Sequence, residues 1–348
     1  MRIELIDRPK TIDERRIAQS LNNGASTVVL QFPDDSDYEP HLLEEVNNAC
    51  KLFGTKLRVR FYGHISNEFD CGWLRYLPDV RSLNLDCLTS VRNSPEIDRL
   101  ENLEEFTFGV FESDLPDLLR FSSLRGLSRL VLAESRRNNI DLAHLAQYER
   151  LQVLFVNSHT RNIEALARLN GIKKLLLGSM PKRQQLGFVG AMSGLLSLTL
   201  ILGGRESLHD LAHPRIQHLE LLRVRGITNI DLSLFPRLEK LSIEDQLHLH
   251  CLELESANLM RWVSIWNCKN LRELSGLSGA RQLEYLFVGK TSIDPDVVFS
   301  TAPESLKYLA ITGYGKRKAD ELQARIKSLG YSLATYNREP PGLSATPE

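Results

Sequence analysis

Several absences bound this sequence before any motif is read. Five cysteines, Cys50, Cys71, Cys87, Cys251 and Cys268, are scattered through 348 residues with no CxxC pair. That odd, unpatterned set excludes a disulfide framework and reads as reduced thiols. Neither sign of charge dominates: 43 basic and 44 acidic side chains leave a net charge of -1. There is accordingly no global electrostatic case for nucleic acid or for an anionic membrane surface. No window approaches the roughly 20 consecutive apolar residues that span a bilayer. The opening "MRIELIDRPK" lacks the apolar run of a secretory signal, so the expected location is cytoplasmic. The glycine pair in "LGG" (202–204) has neither GxxxxGK[ST] nor GxGxxG around it, and GxSxG does not occur. No cofactor is expected, and an enzyme is not the expected class.

What is present is a repeat. "VRSLNL" at Val80, "LEEFTF" at Leu103, "LSRLVL" at Leu127, "LQVLFV" at Leu151 and "IKKLLL" at Ile172 all read apolar-x-x-apolar-x-apolar. "LLSLTL" at Leu195, "IQHLEL" at Ile216, "LEKLSI" at Leu238, "MRWVSI" at Met260, "LEYLFV" at Leu283 and "LKYLAI" at Leu306 continue it. All thirty-three template positions in the eleven registers are apolar, against 42% hydrophobic residues overall, so chance is no competitor. Successive starts lie about 21 to 24 residues apart, a period at which each unit is too small to bury its own apolar side and must stack on its neighbours.

The pattern resembles the leucine-rich repeat family over residues 56–315, and segments such as "NIDLSLFPRLEKLSI" resemble its short subclass of about 22 residues. The resemblance implies an α/β leucine-rich repeat solenoid: an arc with a parallel β-sheet on the concave face, short turns and 3-10 segments on the convex face, and helical caps at both ends. One departure stands out. The family usually has Asn or Cys three residues after the last strand apolar, whereas these positions hold Leu88, Phe111, Ser135, His159, Met180, Gly203, Val224, Gln246, Cys268, Thr291 and Tyr314. Only Cys268 fits, so a regular Asn ladder is not expected.

The ends differ from the array. Residues 1–55 read as an N-terminal α/β cap of atypical repeats. In it "TIDERRIAQSL" opens with a Thr11 to Glu14 capping box, and "PHLLEEVNNACKLFG" carries Leu43, Val46, Cys50 and Phe53 on one stripe before Gly54. Residues 316–335 read as a C-terminal helical cap, with Leu322, Ile326 and Leu329 in line, and residues 336–348 as a disordered tail.

The columns that point away from the core show where a partner would sit. Near the N-terminal end they hold Arg58, Arg60, Tyr62, Ser82, Asn84, Asp86, Glu105 and Thr107. The middle is apolar, with Phe155, Leu176, Ile201 and Leu222 beside Glu220. Toward the C-terminal end come Lys240 and Glu244, then Trp262, Trp266, Tyr285, Phe287 and Tyr308. Aromatics are 7% of the chain, so five on three adjacent strands are a concentrated signal. Three readings follow: a protein-binding hot spot, rings covered by a cap, a loop or the tail, or stacking on sugar or nucleic-acid bases, where the absence of an interleaved Arg/Lys stripe counts against bases. The expected function is a non-catalytic protein-binding repeat protein that recognises a protein partner through the concave face, for example an immunity-type protein that neutralises a bacterial toxin. An adaptor that recruits a substrate to an enzyme is the alternative, and a carbohydrate binder stands behind it. "HDLAH" (His209, His213) and "HLHC" (His248, His250, Cys251) raise a metal-dependent enzyme, but no HExxH accompanies them and no metal is expected.

Overall fold

Each of the eleven registers forms a strand whose last two apolar residues point inward, while the first packs just ahead of it. All thirty-three template side chains are buried, none more than 5% exposed. Stacking them against neighbouring repeats is what offsets the chain entropy of units this short. The structure, a computed structural model, describes residues 2–34, 37–65, 67–86 and 89–336. The chain divides into two compact units, Met1–Lys173 and Lys174–Glu348.

In the first unit, β1 (Ile3–Asp7), β2 (Thr27–Phe32), β3 (Leu57–Phe61), β4 (Ser82–Asp86), β5 (Glu105–Gly109), β6 (Arg129–Leu132) and β7 (Val153–Asn157) pair in that order, all parallel. Core residue meets core residue across the sheet: Leu30, Val59, Leu83, Phe106, Leu130 and Leu154 lie in one row. Helices α1 (Glu14–Asn22) and α2 (Pro40–Phe53) make the first two connections, and later ones are 3-10 turns such as Cys71–Tyr76 and Leu142–Gln147. The cap of α1 is Asp13, not Thr11. Because the helix starts at Glu14, it is the Asp13 carboxylate that reaches the free N–H groups of Arg15 and Arg16, at 3.0 and 3.1 Å. Helix α2 buries Leu43, Val46 and Cys50 and stops at Gly54, whose φ of 56° suits a residue without Cβ.

In the second unit, β8 (Lys174–Gly178), β9 (Ser197–Ile201), β10 (His218–Leu222), β11 (Lys240–Glu244), β12 (Trp262–Trp266), β13 (Tyr285–Gly289), β14 (Tyr308–Thr312) and β15 (Ser332–Leu333) are again parallel neighbours. Leu175, Leu198, Leu219, Leu241, Val263, Leu286 and Leu309 form its core row, and Leu333, which pairs with Leu309 at the end of the row, is exposed. One connection is longer than a short repeat predicts. Helix α3 (Pro295–Thr301) forms there because Pro295 presets the first turn and the Asp294 carboxylate caps the Asp296 N–H. Helix α4 (Lys316–Ser328) buries Leu322 and Ile326, whereas Leu329 falls just past its end and is 52% exposed. Of the tail expected over residues 336–348, only Tyr336 lies within the described residues.

The turn after each strand holds two further features. Ser179, Leu202, Arg223, Asp245, Asn267, Lys290 and Gly313 all have positive φ, and six of these seven have a Cβ. The N–H groups of the six with a Cβ extend the ladder, as in Asp245 N–H to the Trp266 carbonyl at 3.0 Å. Leu202 gains no local hydrogen bond from its side chain to offset the roughly 1 to 2 kcal/mol that left-handed backbone costs. The position where the family places Asn is filled by a mixed set. The His159 Nε2–H donates to the Ala133 carbonyl at 2.9 Å, and the Gln246 Nε2–H to the Leu221 and Glu244 carbonyls at 3.1 and 2.9 Å. Cys268 Sγ lies 3.4 Å from the Trp266 carbonyl. His159 and Gln246 thus tie successive turns together as Cys268 does, which a search for Asn or Cys alone passes over.

Candidate functional site on the open face of the sheet

Side chains alternate across each strand, so the face opposite the core collects every second residue. The two units present different chemistry there.

In the first unit the face is a charge network. The Arg58 guanidinium bonds Glu105 at 2.9 Å and Ser82 at 3.0 Å, and the Ser82 hydroxyl donates to Glu105 at 2.8 Å. Arg60 forks onto Asp86 at 2.9 to 3.1 Å and reaches Gln31 at 3.2 Å. The Tyr62 hydroxyl donates to Asp7 at 3.0 Å. Burial holds the Arg129 guanidinium below the usual arginine range, with Glu105 raising it and Arg58 lowering it further. Val131, Val153 and Phe155 follow, each half-buried.

In the second unit the register sorts the expected contact residues into three rows. Lys240, Trp262, Tyr285 and Tyr308 lie side by side in one; Leu176, Glu220 and Phe287 share the middle row; Ile201, Leu222, Glu244 and Trp266 form the third. The aromatic end is not an exposed patch. Trp262, Tyr285 and Phe287 are 5%, 1% and 4% exposed and pack with Ala310, while Trp266 and Tyr308 remain partly accessible. The cover is the segment after β15. The Tyr285 hydroxyl donates to the Thr335 carbonyl at 2.5 Å, the Tyr336 ring lies 5.1 Å from Trp266 and 5.4 Å from Phe287, and its hydroxyl bonds Glu244. Trp262 stacks on Tyr285 at 5.0 Å with 12° between the planes, and the Lys240 ammonium sits 4.6 Å above the Trp262 ring. Burial pushes the Tyr285 phenol up to about 12.

Gly289 makes this packing possible. A Cβ there would lie 2.4 and 2.5 Å from two Trp266 ring carbons, so the indole lies flat over a position that only glycine leaves open. Leu176, Ile201 and Leu222 on this face are half-buried as well, with Glu220 accepting from the Thr199 hydroxyl at 3.1 Å. Leu202, 46% exposed and left-handed, borders them. Leu202, Arg223, Lys290 and Tyr336 were not among the expected contact residues. All but Tyr336 occupy the turn just after a strand, and nothing in their local sequence marks its left-handed backbone; the Lys290 ammonium lies 4.7 Å from the Trp266 ring.

The histidines do not assemble. His213 is buried with its Nε2–H on the Met192 carbonyl at 3.1 Å and its Nδ1 accepting the Arg215 N–H at 3.1 Å, so both ring nitrogens are engaged. The 3-10 turn His209–Leu211 ends before His213, and His209, His248 and His250 are exposed. Among the described residues no group of three His, Cys, Asp or Glu side chains converges to hold a metal ion. Burial pushes the thiols of Cys50, Cys71 and Cys268 up to about 12, so they are not nucleophilic thiolates at neutral pH. Cys87 lies outside the described residues. None of the described helices is long and apolar enough to cross a membrane.

The parallel sheet, the 3-10 connections and the repeat period together define the leucine-rich repeat fold. No family model and no curated protein matches the sequence. Solved structures do. The chain is similar to an internalin of Listeria monocytogenes, InlF, over 76% of its own length and 78% of that chain, with 18% identity and a TM-score of 0.51. It is similar to a chain of the Toll–Spatzle complex of Drosophila over 89% of its length, with 14% identity and a TM-score of 0.52, and spans about half (51%) of that chain. A leucine-rich repeat protein of Leptospira interrogans aligns over 94% of this chain and 93% of its own, at 15% identity and a TM-score of 0.46.

Proposed function

We propose that this is a non-catalytic cytoplasmic protein that recognises a protein partner through the open face of its second unit. The observation that carries the reading is the apolar row on that face. Ile201 and Leu222 are direct cross-strand neighbours, both half-buried, and the exposed Leu202 adjoins them. A strand ladder holds these side chains in place, so little ordering entropy is lost on contact. Exposed apolar patches on otherwise polar surfaces mark interaction sites. The Toll chain, which shares the fold, was solved as a complex with Spatzle, and recognition of a protein fits that precedent. Neutralising a bacterial toxin, in the manner of an immunity protein, is the specific role we favour within this class; it rests on fold analogy.

The test is capture from an extract of the source cells by immobilised wild type and by an Ile201→Asp, Leu222→Asp double variant. One partner should be retained by the wild type and lost by the variant, with thermal melting of the two chains matched. Equal retention by both would sink this assignment of the face.

A further inference from the structure

Thr335 and Tyr336 lie across the aromatic end of the face, and the contacts they make have the form of a recognition site. One phenol ring is held between Trp266 and Phe287, its hydroxyl is held by the Glu244 carboxylate, and the preceding main-chain carbonyl is read by the Tyr285 hydroxyl. We propose that this cradle is a binding subsite for an extended peptide segment bearing a tyrosine, supplied by a protein partner, and that the chain's own Thr335–Tyr336 occupies it as an exchangeable stand-in. The proposal rests on the reading of this face as the protein-binding face and assigns it a ligand chemistry.

Three observations support exchange. The segment is lightly anchored: β15 has two residues, both exposed, and Thr335 is exposed as well. Edge segments with so few buried contacts open at low free energy. The stand-in also satisfies the site incompletely. The Trp262 indole N–H and the Ser264 and Thr312 hydroxyls belong to the same face, are buried, and have no hydrogen-bond partner among the described residues. Buried polar atoms are normally paired, and an occupant with more backbone along this face brings acceptors that two residues do not. Finally, the cradle is preformed on rigid strands, with Gly289 keeping the Trp266 ring flat and available for stacking.

The experiment uses the full chain with Tyr336→Ala and a synthetic peptide, ATYNRE, matching residues 334–339. Tryptophan emission reports the cradle through Trp262 and Trp266, with Trp73 of the first unit as a constant background. Tyr336→Ala should shift emission to the red and raise acrylamide quenching. Peptide added up to about 1 mM, the order of effective concentration that a short tether gives, should reverse both saturably. The peptide ATANRE should not. Adding Glu244→Gln should weaken rebinding about tenfold, by loss of a charge-assisted hydrogen bond. Unchanged emission in Tyr336→Ala, absence of saturable reversal, or equal reversal by ATANRE would each overturn the proposal. A concentration-dependent dimer of Tyr336→Ala would overturn it in favour of a second copy as occupant. Should Tyr336→Ala lose its cooperative melt, the Tyr336→Phe chain, which keeps the ring and drops the hydroxyl, carries the same titration. Loss of peptide rebinding with partner capture still sensitive to Ile201 and Leu222 removes this subsite alone and leaves the assignment of the face standing.

Discussion

Gly289 is the most economical place to probe the covered aromatic cluster, because substitution there sets a backbone gain against a steric loss of opposite sign. Its φ lies outside the left-handed region, so alanine is conformationally allowed. In a strand interior Gly→Ala by itself stabilises by about 0.5 to 1 kcal/mol. The added Cβ, however, would meet Trp266 Cε3 and Cζ3 at 2.4 and 2.5 Å and Thr312 Oγ1 at 2.8 Å. Carbon atoms pack at about 3.5 to 4.0 Å, so the indole must move by roughly 1 Å or more. Overpacking of this kind costs about 1 to 3 kcal/mol. The displaced ring also loses its contacts with Phe287 and Tyr336, each worth about 0.5 to 1.5 kcal/mol. The steric side wins, and Gly289→Ala should destabilise the chain by about 2 kcal/mol in urea unfolding with a red-shifted tryptophan emission. A Trp266→Ala background removes the obstacle. There the same Gly289→Ala change should be neutral or stabilising, giving a coupling energy of about 2 to 3 kcal/mol in the double-mutant cycle. Stabilisation by Gly289→Ala alone, or additivity of the two changes, would refute the placement of the ring.

Other outcomes follow from the same geometry. Leu198, fully buried in the core row, should cost about 2 to 5 kcal/mol as Leu198→Ala, whereas Leu222→Ala, half-buried on the open face, should cost under about 1.5 kcal/mol; similar losses in chemical denaturation would contradict the assignment of faces. Asp70 and Asp141 are matched in role. Burial raises their carboxyls, but the side-chain amides of Asn93 and Asn162, the N–H groups of Gly72 and Ala143 and the nearby Arg92 and Arg161 outweigh it and hold both below the usual carboxylate range. A folded-state value below the unfolded one, about 3.9, means the stabilisation is full above that pH and is lost as pH falls through the folded values. Stability measured from pH 7 down to 2.5 should therefore fall at the acid end, and an Asp70→Asn, Asp141→Asn chain should show a flatter acid limb; an unchanged slope would count against these bonds. Native protein should react with a thiol reagent at half-buried Cys251 before Cys50, Cys71 or Cys268, which should respond only on unfolding.

The repeat was legible because it depends on local spacing. Apolar side chains at fixed offsets, recurring at a constant period, can be buried together only by stacking, and that single condition fixes strand direction, register and inward face for Val80 through Ile311. The same spacing placed Trp262, Trp266, Tyr285, Phe287 and Tyr308 on the outward face. Capping and ladder residues were harder to read. Asp13 and Thr11 are both good N-caps by type, and only the observed start of α1 chooses between them. His159 and Gln246 bridge successive turns with the hydrogen-bonding ability of Asn but without its name.

The sequence by itself therefore determined the repeat, its core and the composition of each face, since these follow from side-chain alternation and the need to bury apolar surface. Tertiary structure decided which outward residues remain accessible. Tyr336 lies 92 positions beyond Glu244, and no local pattern records that a chain will return over its own strands. Whether an aromatic residue on the open face meets solvent or another ring is a non-local fact, set by where the chain goes after its last strand.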